Sequence, residues 1–184
     1  MVTQVTITQF IFYLVIIMSM PISFSEQEKL IRQSAQNNPA MPVEQILLAR
    51  LLLHNSSHYV ERRNQLLKKY QLNDTLFMAL AVLYCQPNHS LQPSKLSEIF
   101  GYSKTNATRI ADELVKREWL ERTEVAGDRR AFSLKLTAQG VQFLEQLLPN
   151  QWQQVDDIFS VLDKQEQQQL KQLLLKLLSN LENL

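Results

Sequence analysis

Apolar residues recur at helical spacing along most of the chain, and the pattern changes to strict alternation only once. From Val43 to Tyr70, Ile46, Leu47, Leu51, Leu53, Val60, Leu66 and Leu67 repeat without a breaker, which predicts a helix of several turns. Asn73 and Asp74 are N-cap candidates for a second helix carrying Leu76, Phe77, Leu80, Val82 and Leu83, which stops at the Gln86-Pro87-Asn88 loop. Pro93 suits the first position of a short helix whose inner residues are Leu96, Ile99 and Phe100, and Gly101 supplies the turn that ends it. Ser103 then caps a helix running to about Glu118, with Ala107, Ile110, Ala111, Leu114 and Val115 facing inward.

Beyond that point the period is two. Trp119 to Glu124 and Ala131 to Leu136 read as strands, with Ala126-Gly127-Asp128-Arg129 as the turn of a β-hairpin. Thr137 caps a further helix toward Leu148, where Pro149 interrupts or bends the path. Asp163 with Glu166 forms a capping box for a last helix bearing Leu170, Leu173, Leu174, Leu177, Leu178, Leu181 and Leu184. The fold class is therefore mainly α with a small β-hairpin wing: a winged helix-turn-helix at 73–140, flanked by dimerisation helices at 43–72 and 141–184.

The N-terminal stretch 1–42 stands apart. Its first 24 residues carry no charge, and Phe10 to Met18 is continuously apolar, shorter than the roughly 20 residues of a bilayer span. No Lys or Arg precedes Lys29, so the basic region of a signal peptide is missing, and no small-residue cleavage pattern follows. The pattern fits a translation start at Met18 or Met20, with a membrane tether through residues 7–24 as the alternative. Residues 25–42 are polar, end in Pro39 and Pro42, and read as a loose leader, with structure beginning near Val43.

Composition sharpens this only in places. Three glycines and six prolines in 184 residues fit a helical chain with few tight turns. A net charge of +1 advertises no global affinity for nucleic acid, so any such contact must come from a local basic cluster. The single cysteine, Cys85, excludes an internal disulfide and a Cys-rich metal site, and fits the cytoplasm. There is no Gly-rich phosphate loop, no H-E-x-x-H, no G-x-S-x-G and no Cys/His/Asp constellation, so no enzyme is assigned and no cofactor is implied.

The basic cluster is found where the fold class needs it. The exposed start of the helix after Gly101 presents Ser103, Lys104, Thr105, Asn106, Thr108 and Arg109, which are groups that bond base edges and phosphates. An ordinary solvated helix start favours Asp or Glu, yet Asp112 and Glu113 come later. The hairpin turn carries Arg129 and Arg130 beside Asp128, a projection suited to a minor groove. Alone, two arginines on a hairpin are a solvated surface; joined to the preceding helix pair they point to duplex DNA. A winged-helix adaptor for protein partners, tethered through residues 7–24, is the competing class. The surplus apolar faces of the first and last helices point to a homodimer, whose target is a near-palindrome.

Other residues have two readings. His54 and His58 lie four apart with Glu61 beyond, but no third nitrogen or sulfur donor is near, and two helix-surface histidines are more often interface or pocket groups than metal ligands. Cys85, beside Val82 and Leu83 and without a partner, reads as an inert, partly buried thiol rather than a redox trigger. Tyr59, Phe77, Met78 and Trp119 suit a ligand pocket and suit ordinary core equally, and at helical spacing core is the default for each.

The stretch Asp128-Arg-Arg130-Ala-Phe-Ser-Leu134-Lys-Leu136-Thr137 resembles the wing signature D-x-R-x-x-x-L-x-L-T of the MarR family at every specified position. Leu76 to Leu80 and Ser103 to Leu114 resemble one branch of that family closely, and the likeness spans about Val43 to Leu181. The resemblance implies a homodimer with DNA-reading lobes below a helical interface. It carries DNA contact onto Ser103, Lys104, Thr105, Asn106, Thr108, Arg109, Asp128 and Arg130, with Asp128 orienting Arg130 in the minor groove. It also implies repression of a multidrug-efflux operon, relieved by small-molecule effectors, aromatic or anionic, bound between dimer and DNA lobes. The N-terminal apolar run departs from the family pattern.

Overall fold

A computed structural model of the chain describes residues 23–125 and 128–184, and of residues 125 and 128–131 the backbone alone. The apolar run at Phe10 to Met18, the Ala126-Gly127 turn and the side chains of Asp128, Arg129 and Arg130 lie outside the described residues. The chain divides into two compact units, residues 1–62 and 63–184.

The first unit contains a helical hairpin. Helix α1 (Phe24–Ala35) starts at a capping box: Ser23 Oγ accepts the Glu26 amide at 3.2 Å, and the Glu26 carboxylate accepts the Ser23 amide at 3.0 Å. The Ser23 hydroxyl also donates to that carboxylate at 2.8 Å, and this bond, with the one from the Ser23 amide, holds the Glu26 carboxyl below its ordinary range. Helix α2 (Val43–Leu67) runs antiparallel to α1, since Phe24 meets His54, Gln27 meets Arg50 and Arg32 meets Glu44. Ile31 and Leu47 are buried, and the buried Arg50 guanidinium donates to the Gln27 side-chain carbonyl at 2.8 Å. This corrects the reading of 25–42 as a loose leader. The segment is polar because only a narrow face, Gln27 and Ile31, is covered, too few apolar positions to register as a period.

The second unit holds the apolar core. After a 3-10 turn at Lys68–Tyr70, helix α3 (Asp74–Tyr84) is capped by Asn73, whose Oδ1 accepts the Leu76 amide at 2.9 Å. Then follow strand β1 (Ser90–Leu91), helices α4 (Pro93–Phe100) and α5 (Lys104–Lys116), and strands β2 (Leu120–Val125) and β3 (Asp128–Leu136). The strands form an antiparallel sheet in the order β1-β3-β2, with Leu91 opposite Leu134 and Leu120 opposite Leu136. The expected hairpin is thus extended by a third strand, only two residues long, too short for alternation to reveal. Leu80 and Leu83 of α3, Leu96, Ile110, Leu114, Leu134 and Leu144 pack into one cluster.

Helix α6 (Ala138–Phe159) begins at Thr137, whose hydroxyl accepts the Gly140 amide at 3.0 Å and donates to the Glu118 carbonyl at 2.6 Å. A Cβ at Gly140 would collide with the Trp119 carbonyl, so glycine lets α6 lie against the start of β2. Contrary to the sequence reading, α6 continues through Pro149 to Phe159. Leu144, Leu147 and Gln151 form a buried stripe on both sides of the proline, and that packing outweighs the one backbone bond proline removes. Helix α7 (Lys164–Glu182) follows Asp163, which accepts the Gln165 and Glu166 amides at 2.8 Å. No residue of α7 is buried within the chain. Among the described residues no helix is long and apolar enough to cross a membrane.

Candidate nucleic-acid interface

Two short helices and a locked turn build the site. Pro93 takes the first position of α4, where a missing amide hydrogen costs nothing, and Leu96 anchors the helix in the core. Gly101 ends α4 at φ +62°, and a Cβ there would meet nothing within 4 Å, so the dihedral rather than space calls for glycine. The Gly101 amide donates to the Glu98 carbonyl at 3.2 Å and the Tyr102 amide to the Ser97 carbonyl at 3.0 Å. The Ser97 hydroxyl returns a bond to the Tyr102 carbonyl at 2.6 Å, and Phe100 stacks on Tyr102. The direction of α5 relative to α4 is therefore fixed by the backbone itself.

Helix α5 buries Ala107, Ile110, Ala111 and Leu114 and presents the opposite face of its first two turns to solvent. Ser103, Lys104, Thr105, Thr108 and Arg109 are exposed, and Asn106 is half-buried. The Ser103 hydroxyl accepts the Asn106 amide at 3.2 Å, and Thr108 donates to the Lys104 carbonyl at 2.9 Å. Arg109 donates to the Asn106 side-chain carbonyl at 3.2 Å, which orients both groups on one face. No acid occupies the first turn, so the positive end of the helix dipole stands uncompensated beside two cations. Asp112 and Glu113 are both neutralised: Asp112 pairs with Arg122 of β2, and Glu113 pairs with Arg117 at 2.7 Å. That partner holds the Glu113 carboxyl below its ordinary range, with smaller help from Lys116 and Arg109.

The wing follows directly. Val125 pairs with Asp128, and the register shifts between Glu124 and Val125, so the hairpin is irregular where it nears its tip. The side chains of Asp128, Arg129 and Arg130 fall outside the described residues, and their roles stay expectations from the sequence.

The other candidate residues are dispersed. Phe77 is buried in the core, and Trp119 stacks on Phe143 at 4.2 Å with the Arg117 guanidinium over its outer face. In the first unit the His54 ring lies 5.9 Å from both Phe24 and His58, His58 Nδ1 is 3.5 Å from Glu61, and Tyr59 is half-buried. Among the described residues no group of three or more His, Cys, Asp or Glu side chains could hold a metal ion. Cys85 is exposed, against the expectation of a partly buried thiol: it is the C-cap of α3, where the chain leaves the core. A cleft of about 310 Å³ opens between the start of α3 and α5, lined by Gln71, Asn73, Thr75, Leu76, Arg109, Ile110, Glu113 and Arg117. Of these only Arg109 is a candidate site residue in the sequence, because the rest meet through folding rather than through spacing.

The MarR family model matches residues 72–132, from the start of α3 into the wing. Transcriptional repressor MprA of Escherichia coli is 46% identical over 162 residues, covering 88% of this chain and 92% of MprA. The chain belongs to the MarR family. MprA also represents the branch that the segments at Leu76 and Ser103 resemble. A second relative, HTH-type transcriptional regulator PrsX of Escherichia coli, is 31% identical over 85% of this chain and 94% of its own. Among solved structures, a cysteine-to-serine variant of MarR from Escherichia coli complexed with operator DNA matches with a TM-score of 0.65 and 26% identity, over 73% of this chain and 96% of that one. Sco3205 from Streptomyces coelicolor, in complex with DNA, matches at 0.69 with 18% identity over 76% and 89%, which speaks for the fold alone. As a MarR-family winged helix, this protein is a transcription regulator and not an enzyme.

Proposed function

We propose that this MarR-family protein is a homodimeric, DNA-binding repressor of a multidrug-efflux operon, released by small aromatic or anionic compounds. The observation that carries the DNA reading is the acid-free start of α5, where Ser103, Lys104, Thr105, Asn106, Thr108 and Arg109 face outward from a helix anchored by Ala107, Ile110 and Leu114. Repression is read from MprA, whose description is that of a transcriptional repressor. Arg130 is assigned to the minor groove and Asp128 to its orientation, on the wing resemblance, and Arg129 to DNA contact as part of the same basic turn. Residues 73–140 are assigned to DNA reading and 43–72 with 141–184 to dimerisation.

The dimer is supported by surface that one chain leaves bare. Leu173, Leu174, Leu177, Leu178 and Leu181 of α7 and Leu48, Leu51, Leu52 and Leu53 of α2 are exposed. A Leu-rich helix this long gains little from folding alone in water, so a second copy is the natural cover. Two winged lobes related by a dyad address half-sites about 34 Å apart. A protein that reads DNA works where the DNA is, so the cytoplasm is the proposed location.

Release requires that an effector favour a conformer whose two α5 helices no longer match that spacing. A hundredfold preference for that conformer corresponds to about 2.7 kcal/mol, whereas equal affinity for both conformers releases nothing. Candidates for effector contact are His54, His58, Tyr59, Phe77 and Trp119.

The test is a mobility-shift titration of the purified chain on duplex DNA from immediately upstream of its own gene. Binding is expected to fall steeply with salt, and a random duplex of equal length is expected to bind at least about a thousandfold more weakly. Equal and weak binding to both duplexes at low ionic strength overturns the reading and leaves a protein-binding adaptor in its place.

A further inference from the structure

Strand alternation puts Leu120, Arg122, Glu124, Phe132, Leu134 and Leu136 on one face of the hairpin, because Leu120 opposes Leu136, Arg122 opposes Leu134, and Glu124 opposes Phe132. Leu120, Leu134 and Leu136 are buried in the core. Farther toward the wing tip the same face carries Arg122, Glu124 and Phe132, at the edge of the core. There the Arg122 guanidinium lies over the Phe132 ring, 5.1 Å from its centroid, and donates to the Asp112 carboxylate on α5. Among the described residues this is the one hydrogen bond or ion pair between an α5 side chain and the hairpin. Asp112 sits one turn beyond Thr108 on the helix that presents the proposed base-reading groups.

We infer that Asp112 and Arg122, with Phe132 as a platform, are positioning residues that hold the wing at a set angle to α5, so that helix and hairpin reach their grooves together. An ion pair this exposed contributes little to folding, so its use is geometric. The planar guanidinium suits that use, because it stacks on the ring and bonds a carboxylate in the plane at once. On the distal inner face of β2, Arg122 is followed only by Glu124, so this group is the tie from that face to α5. Without the pair, the irregular distal hairpin is free to swing away from α5.

The inference rests on the DNA-binding reading and makes a prediction opposite in sign to simple electrostatics. Were Asp112 only a negative charge near DNA, Asp112→Asn would tighten binding. As a clamp, Asp112→Asn weakens binding to the upstream duplex by about three- to tenfold, the scale of one side chain that must be ordered anew. It also lowers the salt slope by about 1, as a wing phosphate contact is lost. Arg122→Gln behaves likewise, and the double variant binds no more weakly than Arg122→Gln alone. Melting temperature and oligomeric state stay at their unsubstituted values, while amide hydrogen exchange across residues 120–136 speeds up in each variant without DNA present. Tighter or equal binding by Asp112→Asn, losses that multiply in the double variant, or unchanged exchange would each overturn the clamp. If the unsubstituted protein binds no duplex, the functional proposal fails and hydrogen exchange still decides on the clamp. If it binds and Asp112→Asn tightens it, the clamp fails and the functional proposal stands.

Discussion

Helices α5 and α7 are built by the same rules and meet different fates. Each starts at a side-chain cap, Ser103 for one and Asp163 for the other, and each carries an apolar stripe at helical spacing. Helix α5 spends its stripe inside its own chain, with Leu114 fully buried, whereas α7 buries nothing. The periodicity of a helix says that a face must be covered and is silent on what covers it. Short side chains help to separate the cases: Ala107 and Ala111 are buried on the inner face of α5, while α7 offers Leu at nearly every apolar position, the habit of helices that meet other helices.

The comparison breaks most sharply at the two stripes themselves. Leu114→Ala is expected to cost about 2–5 kcal/mol of folding stability, by an amount independent of protein concentration in urea titrations. Leu174→Asp with Leu178→Asp on α7 is expected to leave the winged lobe folded, turn a dimer into a monomer in sedimentation, and weaken operator affinity because two half-sites are no longer held together. A dimer that survives both aspartates would show that α7 is not the covering surface.

Backbone fit gives a smaller effect. Gly140→Ala places a methyl group against the Trp119 carbonyl at the entry of β2 and is expected to cost about 1–3 kcal/mol in a thermal melt. The cap substitutions come next. Ser103→Ala is expected to lower stability by about 1 kcal/mol whatever the concentration, while Asp163→Ala, on a helix with no cover of its own, is expected to act through the dimer and raise its dissociation constant by about fivefold. Equal concentration dependence in both would erase the distinction drawn between the two helices.

Much of this is legible in the sequence. The caps Asn73, Ser103, Thr137 and Asp163 each accept backbone amides as their side chains predict, and the change of period after Glu118 marks the sheet. What escaped had physical reasons. Helix α1 shows a single strong apolar contact, Ile31, and its other covered residue is Gln27, so no periodicity stood out. Strand β1 has two residues, fewer than one full alternation. Pro149 reads as a breaker by local rule and is overruled by the packing of Leu147 and Gln151 around it. At the candidate site, the outward residues of α5 follow from spacing alone. The meeting of Asp112 with Arg122 does not, because it depends on where β2 returns in space.

The smallest effect lies at the far end of α5, where the helix is tied down electrostatically. Arg117 pairs with Glu113 at 2.7 Å and lies over the Trp119 ring, linking the end of the helix to the start of the wing. Because that partner lowers the Glu113 pKa in the folded state, the contribution is present above the unfolded carboxylate value, about 4.3, and is lost as pH falls through the lower folded value. Glu113→Gln is therefore expected to be slightly less stable than the unsubstituted protein at pH 7 and to converge with it as pH falls through the lowered folded value, by an amount small enough to need paired urea titrations. The carboxylate is solvent-exposed, so added salt should narrow the gap at pH 7 as well. A gap that widens on acidification would mean that Glu113 is protonated more readily in the folded protein than in the unfolded chain, and that the pair with Arg117 does not anchor this end of the helix.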